Sequence, residues 1–282
     1  MKLREIKNEV DQYFYGQENI KKEILTSICS DVIIQQSNNK HLASRILIGG
    51  NSGTGKSFLV EVISNVLDIP CVFVDCSQLS KTGFAGKSVT DVFNLLLAKC
   101  KNNLFLAEKS IVFFDEFDKL FNKKTDYSFD ISGTGVQYEL LKVFDGGTIL
   151  LDNNGQQIEF HTDKLIIICA GAFSYTDLNA LNFEHKQIKK EGFISELVGR
   201  LNKVVYMNDY TKEDYIKIIK EGYSKTIQKY KYIFEQLNSN LEFTEDEIVK
   251  FAEQAIEIDL GVRGIEVAIE RHLSKDLYSL LL

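Results

Sequence analysis

Apolar positions along this chain follow two alternating rhythms. Between Lys21 and Gln35 they fall at Ile24, Leu25, Ile28, Val32 and Ile33, the spacing of an amphipathic helix. A short continuous apolar run, Arg45–Ile48, then ends in glycines. Similar runs follow at Cys71–Asp75, Ile111–Asp115, Leu165–Ala170 and Val204–Met207. Continuous apolarity is what strands buried on both faces of a parallel sheet require. Helical spacing returns between them over Ser57–Leu67, Asp91–Lys101 after a Thr90 cap, and Val136–Phe144. The alternation predicts an α/β fold, a three-layer domain around a central parallel sheet.

Two stretches depart from the alternation. Thr148–Asp152 and Gln156–His161 flank Asn153-Asn154-Gly155, a hairpin-turn signal. Beyond Met207 the spacing is helical throughout. Thr211 is placed to cap one helix, Thr244 to cap another before Glu247, and a last helix runs from Gly264 onward. The expected organisation is therefore a large domain over residues 1–207 and a small, mainly helical lobe over residues 208–282.

Composition narrows the function classes. At 282 residues and 44% apolar content the chain has room for one large core with an attached lobe and is too apolar for disorder. A net charge of −7, from 33 basic and 40 acidic side chains, argues against a protein that coats nucleic acid. The longest apolar stretches, Leu165–Ala170 and Leu277–Leu282, fall far short of the ~20 residues a bilayer-spanning helix needs. The N-terminal Met1-Lys2-Leu3-Arg4-Glu5 lacks the apolar core of a signal peptide, and the five cysteines form no C-x-x-C pair. A reducing, cytoplasmic setting is expected. The chain holds five arginines and a single proline, Pro70, so the positions that keep arginine draw notice.

Candidate chemistry begins at Gly50-Asn51-Ser52-Gly53-Thr54-Gly55-Lys56-Ser57, which matches G-x-x-x-x-G-K-[ST] between a predicted strand and a predicted helix. Glycines let backbone N–H groups curl around a phosphate, and the helix N-terminus adds its positive dipole end. Lys56 is expected to reach the β- and γ-phosphates of ATP, and the Ser57 hydroxyl to ligate Mg²⁺. Gly50, Ser52, Gly53, Thr54, Gly55 and Phe58 complete the expected contacts of this loop. The second element is Ile111-Val112-Phe113-Phe114-Asp115-Glu116, four apolar residues ending in two carboxylates. Such a strand end asks for a cation. Asp115 is expected in the Mg²⁺ shell, with Glu116 polarising the attacking water as general base. Mg²⁺-dependent ATP hydrolysis is the predicted reaction.

Together these motifs resemble the AAA+ ATPases, and within them the ring-forming ClpX and HslU unfoldases. Tyr13-Phe14-Tyr15-Gly16-Gln17-Glu18 resembles the segment that packs on the adenine ring, which implies base contacts for Phe14 and Tyr15. Thr82-Gly83-Phe84-Ala85-Gly86 resembles the first pore loop, so Gly83, Phe84, Ala85 and Gly86 are the implied grip on a polypeptide substrate. Asp130–Gln137 is similar to the stretch that leads out of the second pore loop, where Tyr127 and Phe129 could also face the pore. Glu196-Leu197-Val198-Gly199-Arg200-Leu201 resembles the arginine-finger box, and Gly261-Val262-Arg263-Gly264 the sensor-2 motif. The resemblance implies that Arg200 reaches the γ-phosphate of a neighbouring subunit and that Arg263 approaches it from the small lobe. A homo-oligomer, a hexameric ring, follows from that implication. On physical grounds an aromatic tip between glycines, repeated around a ring, would hold extended protein with little sequence preference.

The resemblance has gaps. It begins at the ATPase module, so the zinc-binding domain of ClpX proteins is expected to be absent. The tight Asn153-Asn154-Gly155 turn stands where a long basic pore-entrance loop would be, and no Ile-Gly-Phe tripeptide occurs between Phe173 and Phe193. Docking to the usual protease is therefore not carried over, and another protein partner is left open. No Asn closes Leu165–Ala170, where many AAA+ proteins place a sensor. The motor itself is expected to be intact. Two other readings stay open: a nucleic-acid motor or loader, disfavoured by the acidic charge, and a nucleotide-switched scaffold that does not thread protein.

Overall fold

The computed structural model describes residues 2–37, 41–80, 87–120, 131–153, 155–174, 176 and 178–281. Helices α1 (Leu3–Val10) and α2 (Glu18–Gln35) lead into strand β1 (Arg45–Gly49), helix α3 (Lys56–Val66) and strand β2 (Cys71–Asp75). Helices α4 (Val89–Lys99) and α5 (Leu104–Ala107) precede β3 (Ile111–Asp115), and α6 (Ile131–Phe144) precedes a hairpin of β4 (Thr148–Asn153) and β5 (Gln156–His161). Strand β6 (Ile166–Gly171), short helices α7 (His185–Lys190) and α8 (Ser195–Val198), and β7 (Lys203–Tyr206) complete the α/β part. Four helices follow: α9 (Lys212–Glu221), α10 (Lys225–Gln236), α11 (Glu245–Ile258) and α12 (Val262–Leu281).

Five strands form one parallel sheet in the order β2-β3-β6-β1-β7, and β4 pairs with β5 apart from it. The apolar runs serve both faces, as continuous hydrophobicity demands. Ile111 and Phe113 of β3 pack with α1, α2 and α3 on one side, while Val112 and Phe114 pack with α4 and α6 on the other. β1 divides likewise, with Ile46 and Ile48 on the first face and Leu47 on the second. The four C-terminal helices hold a third cluster of their own, centred on Ile227, Phe251, Ala252 and Ile269. Among the described residues no helix is long and apolar enough to cross a membrane.

Three local expectations need correction. The cap of α4 is Ser88, not Thr90: Ser88 Oγ accepts from the Asp91 N–H at 3.2 Å and Asp91 Oδ2 accepts from the Ser88 N–H at 2.8 Å. The reciprocal box needs a three-residue interval to an acid, which Ser88 has. Helix α6 starts at Ile131, five residues before the expected Val136, through a first turn carrying Gly133 and Gly135. Gly133 is small for a reason, since a Cβ there would lie 2.7 Å from the Leu120 carbonyl. Helix α1 was missed, because a pair of buried apolar residues, Ile6 and Val10, makes too short a stripe to read as periodic.

One arginine outside every motif proves structural. Arg45, at the start of β1, is fully buried. Its guanidinium donates to the carbonyls of Ala43 (2.8 Å), Leu165 (2.6 Å), Thr162 (2.9 Å) and Phe144 (3.2 Å). It joins the end of α6 and the return from β5 to the sheet. Burial lowers its pKa to about 10, against the pull of Asp31, Asp163 and Asp145, so it stays charged at neutral pH.

Candidate functional site

Strands β1 and β3 both pair with β6, so their C-terminal ends lie two strand spacings apart, roughly 10 Å. Everything that carries chemistry grows from those two ends. After β1 the chain turns through Gly53 (φ 78°) and Gly55 (φ 93°), left-handed conformations that favour glycine. At Gly55 a Cβ would also lie 2.9 Å from the Phe14 ring. Helix α3 then starts with no side chain capping it, which leaves its first N–H groups facing the loop. Lys56 is 8% exposed, and among the described residues its ammonium donates to the neutral carbonyls of Gly50 and Asn51. Burial pushes its pKa down to about 8, although Asp115 and Asp118 pull the other way. An uncapped helix start beside a buried ammonium is a geometry that can hold a phosphate.

The end of β3 faces that cradle. Ser57 Oγ donates to Asp115 Oδ2 at 2.7 Å, and Asp115 Oδ1 accepts the Glu116 N–H at 2.9 Å. Two hard oxygen donors in contact are what a Mg²⁺ ion takes from a protein while phosphate oxygens and water supply the rest. Glu116 itself has φ 51°, a left-handed backbone uncommon for a side-chain-bearing residue and concentrated at functional sites. Its side chain stands exposed in the cleft wall. Next to it Asp118, with a side chain 7% exposed, accepts the Phe173 N–H at 3.2 Å and so ties the end of β3 to the end of β6. Sequence reasoning missed Asp118. Its signal was the third carboxylate in Asp115-Glu116-Phe117-Asp118, but only packing shows that it is buried.

The opposite side of the cleft is aromatic. Phe14 is buried, with its ring centre 6.0 Å from that of Phe58, and Tyr15 lies 5.8 Å from Tyr223. This segment is strapped at several points. Lys21, 1% exposed, reaches Asp11 at 2.5 Å and Glu18 at 2.6 Å. Tyr15 OH donates to Asp214 Oδ1 at 3.1 Å, Tyr210 OH to the Tyr15 carbonyl at 3.1 Å, and Gln17 Nε2 to the Asn208 carbonyl at 2.7 Å. The segment thus bridges the sheet and the C-terminal helices. Val262 N–H meets the Gly53 carbonyl at 3.0 Å, and Arg263, exposed, extends into the cleft close enough to Lys56 to depress its pKa further.

A cleft of about 540 Å³ results, a size that suits a nucleotide. It brings together Phe14, Tyr15, Ser52, Gly53, Gly55, Lys56, Ser57, Phe58, Asp115, Glu116 and Arg263. Three expected residues are not in its wall. Gly50 lies behind it, Thr54 turns its hydroxyl onto the Asn51 carbonyl at 2.8 Å, and Arg200 is exposed elsewhere in an ion pair with Asp145. The expected pore residues Gly83, Phe84, Ala85 and Gly86, with Tyr127 and Phe129, lie outside the described residues. Tyr210, Ile218, Tyr223 and Ser224 join the wall from α9 and the turns beside it, and no local pattern announced them, while Val262 joins it from the Gly261-Val262-Arg263-Gly264 motif.

The AAA domain (Cdc48 subfamily) family model matches residues 41–204, more than half of the chain and both strand ends. The chain belongs to the AAA ATPases. This AAA ATPase is also similar, nearly end to end, to several ClpX ATP-binding subunits of ATP-dependent Clp proteases. It is 28% identical to the ClpX 2 ATP-binding subunit of an ATP-dependent Clp protease from Wolinella succinogenes, over 99% of this chain and 78% of that protein. The corresponding ClpX subunit of Treponema denticola is 27% identical over 95% of this chain and 74% of its own length. That of Bacteroides fragilis is 28% identical over 94% and 74%. As an AAA ATPase the chain binds and hydrolyses ATP, and its sheet-and-helix architecture is the α/β fold that the motifs implied.

Proposed function

We propose that this AAA ATPase is a ClpX-like, ring-forming protein unfoldase that threads polypeptide through a central pore. The observation that carries the reading is the contact of one cleft with both parts of the chain. Its wall holds Lys56 and Glu116 from the sheet side and Arg263 from α12. A nucleotide that touches both sides can couple its own hydrolysis to the angle between them. Residues 1–207 would then be the large ATPase domain and residues 208–282 the small lobe, a division supported by the separate hydrophobic cluster of α9–α12. Similarity to ClpX subunits over 94–99% of the chain supports the same reading.

In the proposed cycle the N–H groups of Gly53, Gly55 and Lys56 and the Lys56 ammonium hold the β- and γ-phosphates. Ser57 and Asp115 would hold Mg²⁺, which supplies charge neutralisation to those phosphates when bound. Glu116 orients a water in line with the γ-phosphorus and takes its proton on a carboxylate oxygen. Arg263 steadies the γ-phosphate from α12, and Arg200 of a neighbouring subunit stabilises charge on the transferring phosphoryl group. Phe84 and its loop neighbours Gly83, Ala85 and Gly86 grip the polypeptide. The compartment is the cytoplasm, and the assembly is a hexamer.

Electron microscopy of Glu116→Gln with ATP tests the assembly, and ATPase assays test the threading. The expected results are a ring with density in its channel, and wild-type ATPase stimulated by unfolded protein but not so in Phe84→Ala. A monomer under those conditions, or stimulation by DNA in place of protein, overturns the reading.

A further inference from the structure

Arg200 is committed along one edge only. Its Nε donates to Asp145 Oδ1, while its terminal Nη1 and Nη2 groups make no hydrogen bond among the described residues. Glu196 adds an electrostatic pull but no hydrogen bond. A guanidinium presents its N–H donors in one rigid plane. Fixing the Nε edge therefore sets the plane in which the terminal donors lie. Lysine offers no such handle, because its ammonium is a point charge on a flexible stem.

Asp145 is an unfavourable place for an acid. It follows the last residue of α6, and its N–H bonds the Leu141 carbonyl at 3.0 Å. That is the negative end of the helix dipole, where cations are favoured and carboxylates are not. It also stands on a fixed base. Phe144 before it is fully buried, the Phe144 carbonyl accepts from the buried Arg45 guanidinium, and Gly146 after it turns the chain with φ 76°. Asp145 pulls on Arg45 as well, but Asp31 and Asp163 pull more strongly, so that buried charge does not account for the acid. Arg200, by contrast, is an exposed side chain that follows the four-residue helix α8 and Gly199. A carboxylate on a held helix end steadies a long side chain that nothing else ties down.

Arg200 is not in the wall of its own cleft, so a γ-phosphate that it meets belongs to another copy of the chain. We infer that Asp145 is the positioning residue for Arg200, holding its Nε edge so that both terminal nitrogens are left as a fork for the γ-phosphate of a neighbouring copy. The inference rests on the reading of Arg200 as a residue that acts on a neighbour's nucleotide. A fork formed before the subunits meet lowers the ordering cost of the contact. Asp145 itself touches no phosphate and acts only through Arg200.

ATP hydrolysis by the assembled full chain tests this, in steady state and in single turnover, with assembly and thermal unfolding followed in parallel. Asp145→Ala is expected to lower kcat about ten- to a hundredfold, the cost of a misplaced catalytic group, with KM for ATP, assembly and unfolding temperature unchanged. Asp145→Glu keeps the carboxylate and should recover most of the rate. In single turnover, Asp145→Ala should cost nothing further once Arg200→Ala is present, because the residue it positions is gone. Should the alanine variant fold poorly, Asp145→Asn, which keeps the shape but not the charge, should show the same loss in kcat alone to a smaller degree. Unchanged or raised kcat in Asp145→Ala, a further loss on top of Arg200→Ala, or a loss that follows a lowered unfolding temperature would overturn the assignment. Arg200→Ala alone separates the two readings. If it leaves kcat unchanged, Arg200 does not act on a neighbour's nucleotide and both fall. If it removes turnover while Asp145→Ala does not change it, only the role of Asp145 falls.

Discussion

The Val262 N–H donates to the Gly53 carbonyl at 3.0 Å, so the start of the last helix is bonded directly to the phosphate loop. The two backbones touch with no room between them. At Gly53 (φ 78°) a Cβ would overlap the Leu260 carbonyl oxygen, and at Gly261 (φ 60°) a Cβ would lie 2.7 Å from the Gly53 backbone. Gly53→Ala and Gly261→Ala should each cost about 1–2 kcal/mol for the left-handed backbone alone. Both should also weaken nucleotide binding, because the loop and α12 must separate. Urea unfolding and nucleotide titration check the pair, and wild-type behaviour in both would show that the contact is dispensable.

The bond between Ser57 and Asp115 leads to a coupled prediction. Because one hydroxyl meets one carboxylate at 2.7 Å, Ser57→Ala and Asp115→Asn should act on the same Mg²⁺ dependence. Each is expected to raise the Mg²⁺ concentration needed for tight nucleotide binding, with the double variant little worse than the weaker single variant. A Mg²⁺ titration of fluorescent-nucleotide binding reads this. Independent, additive losses would mean that the two side chains do not share an ion.

Arg45 should matter more for stability than any motif residue. Arg45→Met would strand the carbonyls of Ala43, Phe144 and Leu165 without their donor in the dry base of the sheet. The expected loss is at least about 3 kcal/mol, since each orphaned buried acceptor costs about 1–3 kcal/mol. Chemical denaturation is the measurement, and a loss under 1 kcal/mol would show that water replaces the guanidinium.

Acid sensitivity should appear at the cap of α11. Glu247 accepts the Thr244 backbone N–H and hydroxyl, both at 2.8 Å, and the backbone bond leads in holding its carboxyl below the usual range. A depressed carboxylate contributes stability that is present above its unfolded pKa of about 4.3 and is lost as pH falls through the lower folded value. Glu247→Gln should therefore lose part of the acid-side slope of stability against pH. Thr244→Ala should cost about 1 kcal/mol at neutral pH. Unfolding midpoints measured from pH 7 down to pH 3 decide both.

Legibility differed sharply between parts of the site. That Lys56, Ser57, Asp115 and Glu116 share one cleft was legible from spacing, because a glycine-rich turn between a strand and a helix and an apolar strand ending in two carboxylates leave their signatures in consecutive residues. Asp118 and Ser224 were not legible in that way. One is buried by the end of β6 and the other by the cleft wall, and neither neighbour is near in sequence. Ser88 could have been found, since its box with Asp91 is local.

By itself the sequence determined the elements whose physics is short-range: the two-faced apolar strands, the phosphate loop, the paired carboxylates, and the capped helices after Met207. Tertiary structure decided which of these meet. The β2-β3-β6-β1-β7 order sets Asp115 against Ser57, and the Gly53–Val262 bond seats α12 on the loop. It also gave Arg45 its purpose, burying a charge among carbonyls drawn from three segments of the chain. Long-range contacts of that kind depend on loop closure and side-chain packing, which no local periodicity encodes.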